Sequence, residues 1–100
     1  MAQVMERFNL DGRVAVVTGG AGLLGRGFCR TLAEAGAAVV VADRNKSEAE
    51  KLAAEISQTG QALAVEVDVT QADSVRAMTA AAKAAFGRLD VLVCSAALDP

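Results

Sequence analysis

The chain repeats one pattern three times: a short run of apolar, largely β-branched residues, followed by a stretch whose apolar residues recur at helical spacing. Val14 to Thr18 (VAVVT) is the first run. Leu23 to Ala35 follows, with Leu24, Phe28, Leu32 and Ala35 on one helical face and Gly36 where a helix would stop. Ala38 to Ala42 (AVVVA) is the second run. Ser47 and Glu50 then have the spacing of a capping box, ahead of an apolar stripe of Ala49, Leu52, Ala53 and Ile56, and Gly60 ends that helix. Ala62 to Val67 predicts a third strand. Thr70 is placed to cap a third helix over Gln71 to Phe86, with Val75, Met78, Ala82 and Phe86 inward and Gly87 closing it. Leu89 to Cys94 predicts a fourth strand.

Four strands separated by three helices read as β-α-β-α-β-α-β, an α/β fold with a parallel sheet. Strands covered on both faces should be near-continuous apolar runs, as VAVVT, AVVVA and VLVC are. Right-handed crossovers give the strand order 3-2-1-4, with the first two helices on one face and the third on the other. One helix is too little to cover the second face of four strands, and the fourth strand would be an apolar edge. The expectation is therefore a single domain over residues 1–100, incomplete at its C-terminal end. Residues 1–8 are expected as a loose arm, with Phe8 and Leu10 docking at the sheet edge.

Composition narrows the function. Hydrophobic residues make up 53% of the chain and charged residues 22%, enough for a core, although much of that fraction is Ala and only three residues are aromatic. Ten basic and twelve acidic residues give a net charge of −2 without a basic stripe, which argues against nucleic acid as a partner. No apolar run reaches the ~20 residues that span a bilayer, and Met1 to Asn9 has no signal-peptide character. Cys29 and Cys94 lack C-x-x-C spacing, and two free thiols fit a reducing, cytoplasmic setting. There is no His, so the usual general base and the commonest metal ligand are both missing, and no metal site is expected.

Thr18-Gly19-Gly20-Ala21-Gly22-Leu23-Leu24-Gly25 is the most informative stretch. Gly20, Gly22 and Gly25 satisfy G-x-G-x-x-G directly after a strand and at the opening of a helix. A pyrophosphate must approach such a backbone closely, and the free amides at the helix start favour its charge. Asp43 ends the second strand, 18 residues beyond Gly25, where an acidic residue would hold the ribose 2′-hydroxyl of NAD and repel a 2′-phosphate. NAD is thus favoured over NADP, while the guanidinium of Arg44 next door could bind that phosphate. Lys46, Lys51, Lys83 and Asp90 read as solvated charges, and Cys29 and Cys94 as buried, inert thiols.

Phe8-x-Leu10-x-Gly12-Arg13 running into Val14 to Gly19, together with Phe86-Gly87-Arg88-Leu89-Asp90-Val91-Leu92-Val93, resembles the short-chain dehydrogenase/reductase family over about nine-tenths of the chain. The resemblance implies a Rossmann-type cofactor half of an oxidoreductase that moves hydride between NAD and a small alcohol or carbonyl compound. It implies cofactor contacts at Gly19, Ala21, Gly22, Leu24, Gly25, Asp43 and Arg44, adenine-side contacts at Asp68 and Val69, and nicotinamide-ribose contacts at Ser95, Ala96 and Ala97. It also implies a homo-oligomer in the complete protein. Two positions depart from the common short pattern. Leu23 stands where a Gly is usual and Gly22 comes one place early, as in the family's extended branch of epimerases and dehydratases. Cys94-Ser95-Ala96-Ala97 replaces Asn-Asn-Ala-Gly. The family's Tyr and the Lys four positions on are absent, since this chain contains no Tyr, so no catalytic residue is assigned within it. A non-catalytic dinucleotide-binding module is the alternative from outside enzymes.

Overall fold

A computed structural model describes residues 9–95. Strands β1 (Val14–Thr18), β2 (Ala38–Asp43), β3 (Ala62–Glu66) and β4 (Val91–Cys94) alternate with helices α1 (Leu23–Glu34), α2 (Lys46–Ile56) and α3 (Ala72–Phe86). The strands form one parallel sheet in the order β3-β2-β1-β4, as the connection rule predicts. Val16 pairs with Val40 and Leu92, and Val17 with Val41 and Val93. Because side chains alternate, these two rows face opposite sides of the sheet.

Val17, Val39 and Val41 pack with Cys29 of α1 and with Ala49, Leu52, Ala53 and Ile56 of α2. Val14, Val16, Val40 and Ala42 pack with Val67 and with Met78 and Ala82 of α3. Each Val buried in this way contributes on the order of 1.5–3 kcal/mol over an exposed one. The third helix lies against β1, β2 and β3. On its face of β4, Leu92 stays 51% exposed and Cys94 is exposed, so the expectation of a buried Cys94 thiol is wrong.

Several local expectations also shift. Of the stripe Leu24, Phe28, Leu32 and Ala35, Leu32 packs against the core, but Leu24 and Phe28 do not face inward. Gly25 and Cys29 are buried, while Leu24 is 71% and Phe28 44% exposed. Adjacent residues on a helix differ by about 100°, so a one-residue change of stripe turns the helix by that angle. The cap of α2 is Asn45, whose side chain accepts from the Glu48 amide at 3.1 Å, rather than Ser47. Asn45-x-x-Glu48 has the same spacing, two residues earlier, and follows directly on β2, which runs on to Asp43. The helix ends at Ile56, and Gly60 closes the turn after it by donating to the Ile56 carbonyl. Thr70 does not cap α3, because its hydroxyl donates to Asp68 at 2.6 Å. Gly87 ends α3 in the left-handed region, as expected. Leu10 docks beside the end of α1, donating to the Ala35 carbonyl, not at a sheet edge. Phe8 and the rest of the expected arm lie outside the described residues.

Asp90 is not a solvated charge. Its side chain is 15% exposed and accepts from the Val14 amide at 2.8 Å, while Arg88 grips it through two nitrogens and Arg13 stands 3.5 Å away. The carboxylate thus extends the β1–β4 ladder ahead of its first pair, Ala15 with Val91. The Arg88 hydrogen bonds, followed by that from Val14, hold its carboxyl below the ordinary Asp range. A lowered value means that the folded state favours the charged form. Its stabilisation is complete above the ordinary Asp range and is lost as the pH falls through the depressed value. Asp90→Asn should therefore lower the urea midpoint at pH 7, with the gap to wild type closing in strong acid. Urea titrations from pH 7 down to about pH 2 check this, and a gap that ignores pH would contradict it.

Candidate functional site

The segment Gly19–Gly22 joins β1 to α1 at the C-terminal edge of the sheet. That edge is also where the strand order reverses between β1 and β4, the usual place for a ligand crevice in open α/β sheets. Gly25 sets the local geometry. A Cβ on it would lie 2.0 Å from the Gly19 carbonyl oxygen, so only glycine lets α1 press against the loop. Gly22 differs. A Cβ there would meet only the Gly19 oxygen at 3.2 Å, a tight contact relieved by a shift of a few tenths of an ångström, so packing demands its bareness far less than at Gly25. Gly22 serves as the N-cap without any side-chain cap, and the first turn of α1 carries no acidic residue. The amides of Leu23, Leu24 and Gly25 consequently have no hydrogen-bond partner among the described residues, and they form the positive end of the helix.

Asp43 reaches into this loop from the end of β2. One carboxylate oxygen accepts from the Ala21 amide at 3.0 Å and the other from the Asn45 amide at 2.9 Å. A carboxylate has about four acceptor positions, so each oxygen keeps one free. Arg26, not singled out from the sequence, donates to the Ala21 carbonyl at 2.9 Å and lies 3.8 Å from the Glu48 carboxylate. Its signal was available: a cation one turn into a helix opposes the helix dipole. Arg44 is exposed, and its charge adds to what holds the Asp68 carboxyl low. The larger cause there is Thr70, which gives Asp68 a hydroxyl and an amide hydrogen bond. Val69 is half-buried against the α3 side of the core.

Ser95 closes the other side of the loop. Its hydroxyl donates to the Thr18 carbonyl at 2.6 Å, and its amide donates to the same oxygen at 3.1 Å. The structure therefore gathers Gly19, Ala21, Gly22, Leu24, Gly25, Asp43 and Ser95 around the β1–α1 loop, with Asp68 and Val69 beyond β3. Ala96 and Ala97 lie outside the described residues. Cys29 is buried under Gly20, and burial pushes its thiol up to about 12, which suits packing and not nucleophilic chemistry. Among the described residues no group of His, Cys, Asp and Glu could hold a metal, and no helix is long and apolar enough to cross a membrane.

The two glycines predict different costs. Gly25→Ala should destabilise the fold by about 1–3 kcal/mol through overpacking. Gly22→Ala, at the helix cap, should cost less than about 1 kcal/mol. Urea unfolding of both variants measures the difference, and equal losses would refute the assigned geometry.

Comparison with known proteins agrees with this architecture. A sequence model described as short chain dehydrogenase matches residues 13–100. A short chain dehydrogenase/reductase of Aspergillus oryzae is 46% identical over 97 residues, covering 95% of this chain and 37% of that protein. The cis-4-hydroxycyclohexanecarboxylate dehydrogenase of Sinomonas cyclohexanicum is 48% identical over 87 residues, covering 86% of this chain and 34% of that protein. The crystal structure of a short-chain type dehydrogenase/reductase from Mycobacterium marinum superposes with a TM-score of 0.89 at 37% identity, covering 97% of this chain and 40% of that one. The chain thus spans well under half of each of these three proteins, and within that span it belongs to the short chain dehydrogenase family, whose members bind nicotinamide dinucleotides.

Proposed function

We propose that this chain is the cofactor-binding half of an NAD-dependent oxidoreductase acting on a small alcohol or carbonyl compound in a reducing, cytoplasmic compartment. The observation that carries the reading is the pairing of open helix amides with a pre-oriented carboxylate. The amides of Leu23, Leu24 and Gly25 would receive the pyrophosphate, and bare Gly22 would let it approach. Asp43, with one acceptor position left on each oxygen, would take the two hydroxyls of the adenosine ribose. A 2′-phosphate has no hydrogen to offer that carboxylate and would be repelled by it, which favours NAD over NADP.

Asp68 and Val69 would border the adenine. Ser95, with Ala96 and Ala97 after it, would border the nicotinamide ribose, and Leu24 and Gly19 would line the passage between the two ends. When bound, the nicotinamide supplies the hydride chemistry. This chain's residues bind and orient. With no Tyr or His in the sequence, the proton on the substrate oxygen would be handled by residues outside these 100. Uncovered Leu92 on β4 and Leu24 and Phe28 on α1 support further layers against both faces. The relatives reported above include a dehydrogenase of a hydroxy acid, which favours the short-form oxidoreductase over the extended epimerase branch that Gly22 alone suggested.

Calorimetry of the full-length protein with NAD and NADP tests the reading. Asp43→Asn retains an acceptor for the Ala21 amide but loses the charge. It should weaken NAD at least about tenfold, the worth of a hydrogen bond to a charged group, and narrow the preference over NADP. An unchanged affinity for NAD in this variant would refute the proposed ribose contact.

A further inference from the structure

The peptide unit of Ala21 is held from both ends by charged side chains. Asp43 takes its N–H at 3.0 Å, and Arg26 donates to its C=O at 2.9 Å. Arg26 is in turn 3.8 Å from Glu48, in the first turn of α2. The chain Asp43–Ala21–Arg26–Glu48 therefore runs from the end of β2 through the loop and α1 to α2. Its middle lies immediately before Gly22 and the open amides. A hydrogen bond at each end of one peptide leaves it little freedom to rotate, and the orientation of that peptide decides where the following backbone points.

Arg26 is also misplaced by the ordinary rules. A cation near the start of a helix is disfavoured by the dipole, and the first turn of α1 holds no acidic residue to offset it. A positive charge so near could serve an anion directly. Here, however, Arg26 is already engaged by the Ala21 carbonyl and faces Glu48. Both partners turn the guanidinium toward the loop's own backbone and toward α2. We propose that Arg26, steadied by Glu48, is a positioning residue that fixes the Ala21 peptide and so presents the helix amides to the pyrophosphate. This rests on the cofactor reading given above and extends it to two residues that touch no part of the cofactor.

The test compares ligands with and without the phosphates, in the full-length protein. NAD and plain adenosine share the ribose diol that Asp43 would hold, but adenosine lacks the pyrophosphate. Arg26→Gln should weaken NAD about tenfold, comparable to one lost charge-assisted hydrogen bond, and leave adenosine within about twofold. Arg26→Lys, which keeps the positive charge and the length to donate to the carbonyl where the shorter, neutral Gln does not, should recover most of the loss. Glu48→Gln should weaken NAD by a smaller factor and add nothing in the Arg26→Gln background, because the two act as one unit. The dependence of NAD affinity on NaCl should match wild type in Arg26→Gln, since no direct ion pair with phosphate is removed.

Three results would overturn the proposal: unchanged NAD affinity in Arg26→Gln, equal losses of NAD and adenosine with a lower thermal midpoint, or a flattened salt dependence that marks Arg26 as a direct phosphate ligand. If Asp43→Asn weakens NAD while Arg26→Gln does not, only the positioning role falls. If the wild-type protein binds adenosine but not NAD, the cofactor reading falls as well.

Discussion

The contact between Gly25 and the Gly19 carbonyl is the constraint on which the rest of the site depends. It brings α1 down onto the loop that starts it, and a helix pinned at that point has no rotational choice left. Cys29, four residues on, must then face β1 and β2, where it meets Val17, Val39 and Val41. Leu24 and Phe28 must face outward. The same contact aims the start of the helix along the C-terminal edge of the sheet, so its unpaired amides open beside the last residue of β2. One missing methyl thus connects core packing, an exposed apolar stripe and the placement of three hydrogen-bond donors.

Asp43 turns that placement into a closed frame. It is a strand residue, paired in register with Glu66, yet its carboxylate reaches across to the β1–α1 loop and forward to the turn before α2. A backbone amide left unpaired beside a core costs more than a typical hydrogen bond returns. Satisfying Ala21 and Asn45 with one carboxylate therefore stabilises both turns at once. The two free acceptor positions that remain are fixed in direction by the two that are used. A group oriented in this way loses little side-chain freedom when a ligand arrives. Structure and binding draw on the same four acceptor sites and do not compete for them.

Periodicity carried the topology because a parallel sheet covered on both faces leaves unusually plain runs in the sequence. VAVVT and AVVVA have no other comfortable fate, and the crossover rule orders them. The loop was legible for a related reason, since glycines at that spacing answer to backbone contacts that side chains forbid. What the sequence did not disclose depends on rotation and reach. Leu24 and Cys29 lie on adjoining stripes of α1, and only a tertiary contact decides between them. Asn45 and Ser47 can both cap a helix, and the extra residue of β2 selects the first. Asp90 looks like any surface acid until Val14, 76 positions away in sequence, offers it an amide. Arg26 reads as solvated charge unless its conflict with the helix dipole is noticed.

The three helix starts show what distinguishes a structural end from a receptive one. The start of α2 is closed by the Asn45 side chain and softened by Glu48, and that of α3 carries Asp73 in its first turn. Each brings negative charge to the positive end of its own dipole. The first turn of α1 brings none: its cap is a glycine without a side chain, its own nearest charge in sequence, Arg26, has the wrong sign, and the Asp43 carboxylate beside it is engaged by the Ala21 amide ahead of the cap. Such an end would ordinarily be a defect, because free amides and a neighbouring cation both raise its energy. The defect disappears if the compensating negative charge comes from outside the chain. The surroundings are built to that end, since Asp43 and Glu48 hold the flanking peptide and the flanking cation in place while leaving the amides themselves open. The unfavourable electrostatics of α1 alone become favourable with a diphosphate over it, and this difference between the two states is what a binding site requires.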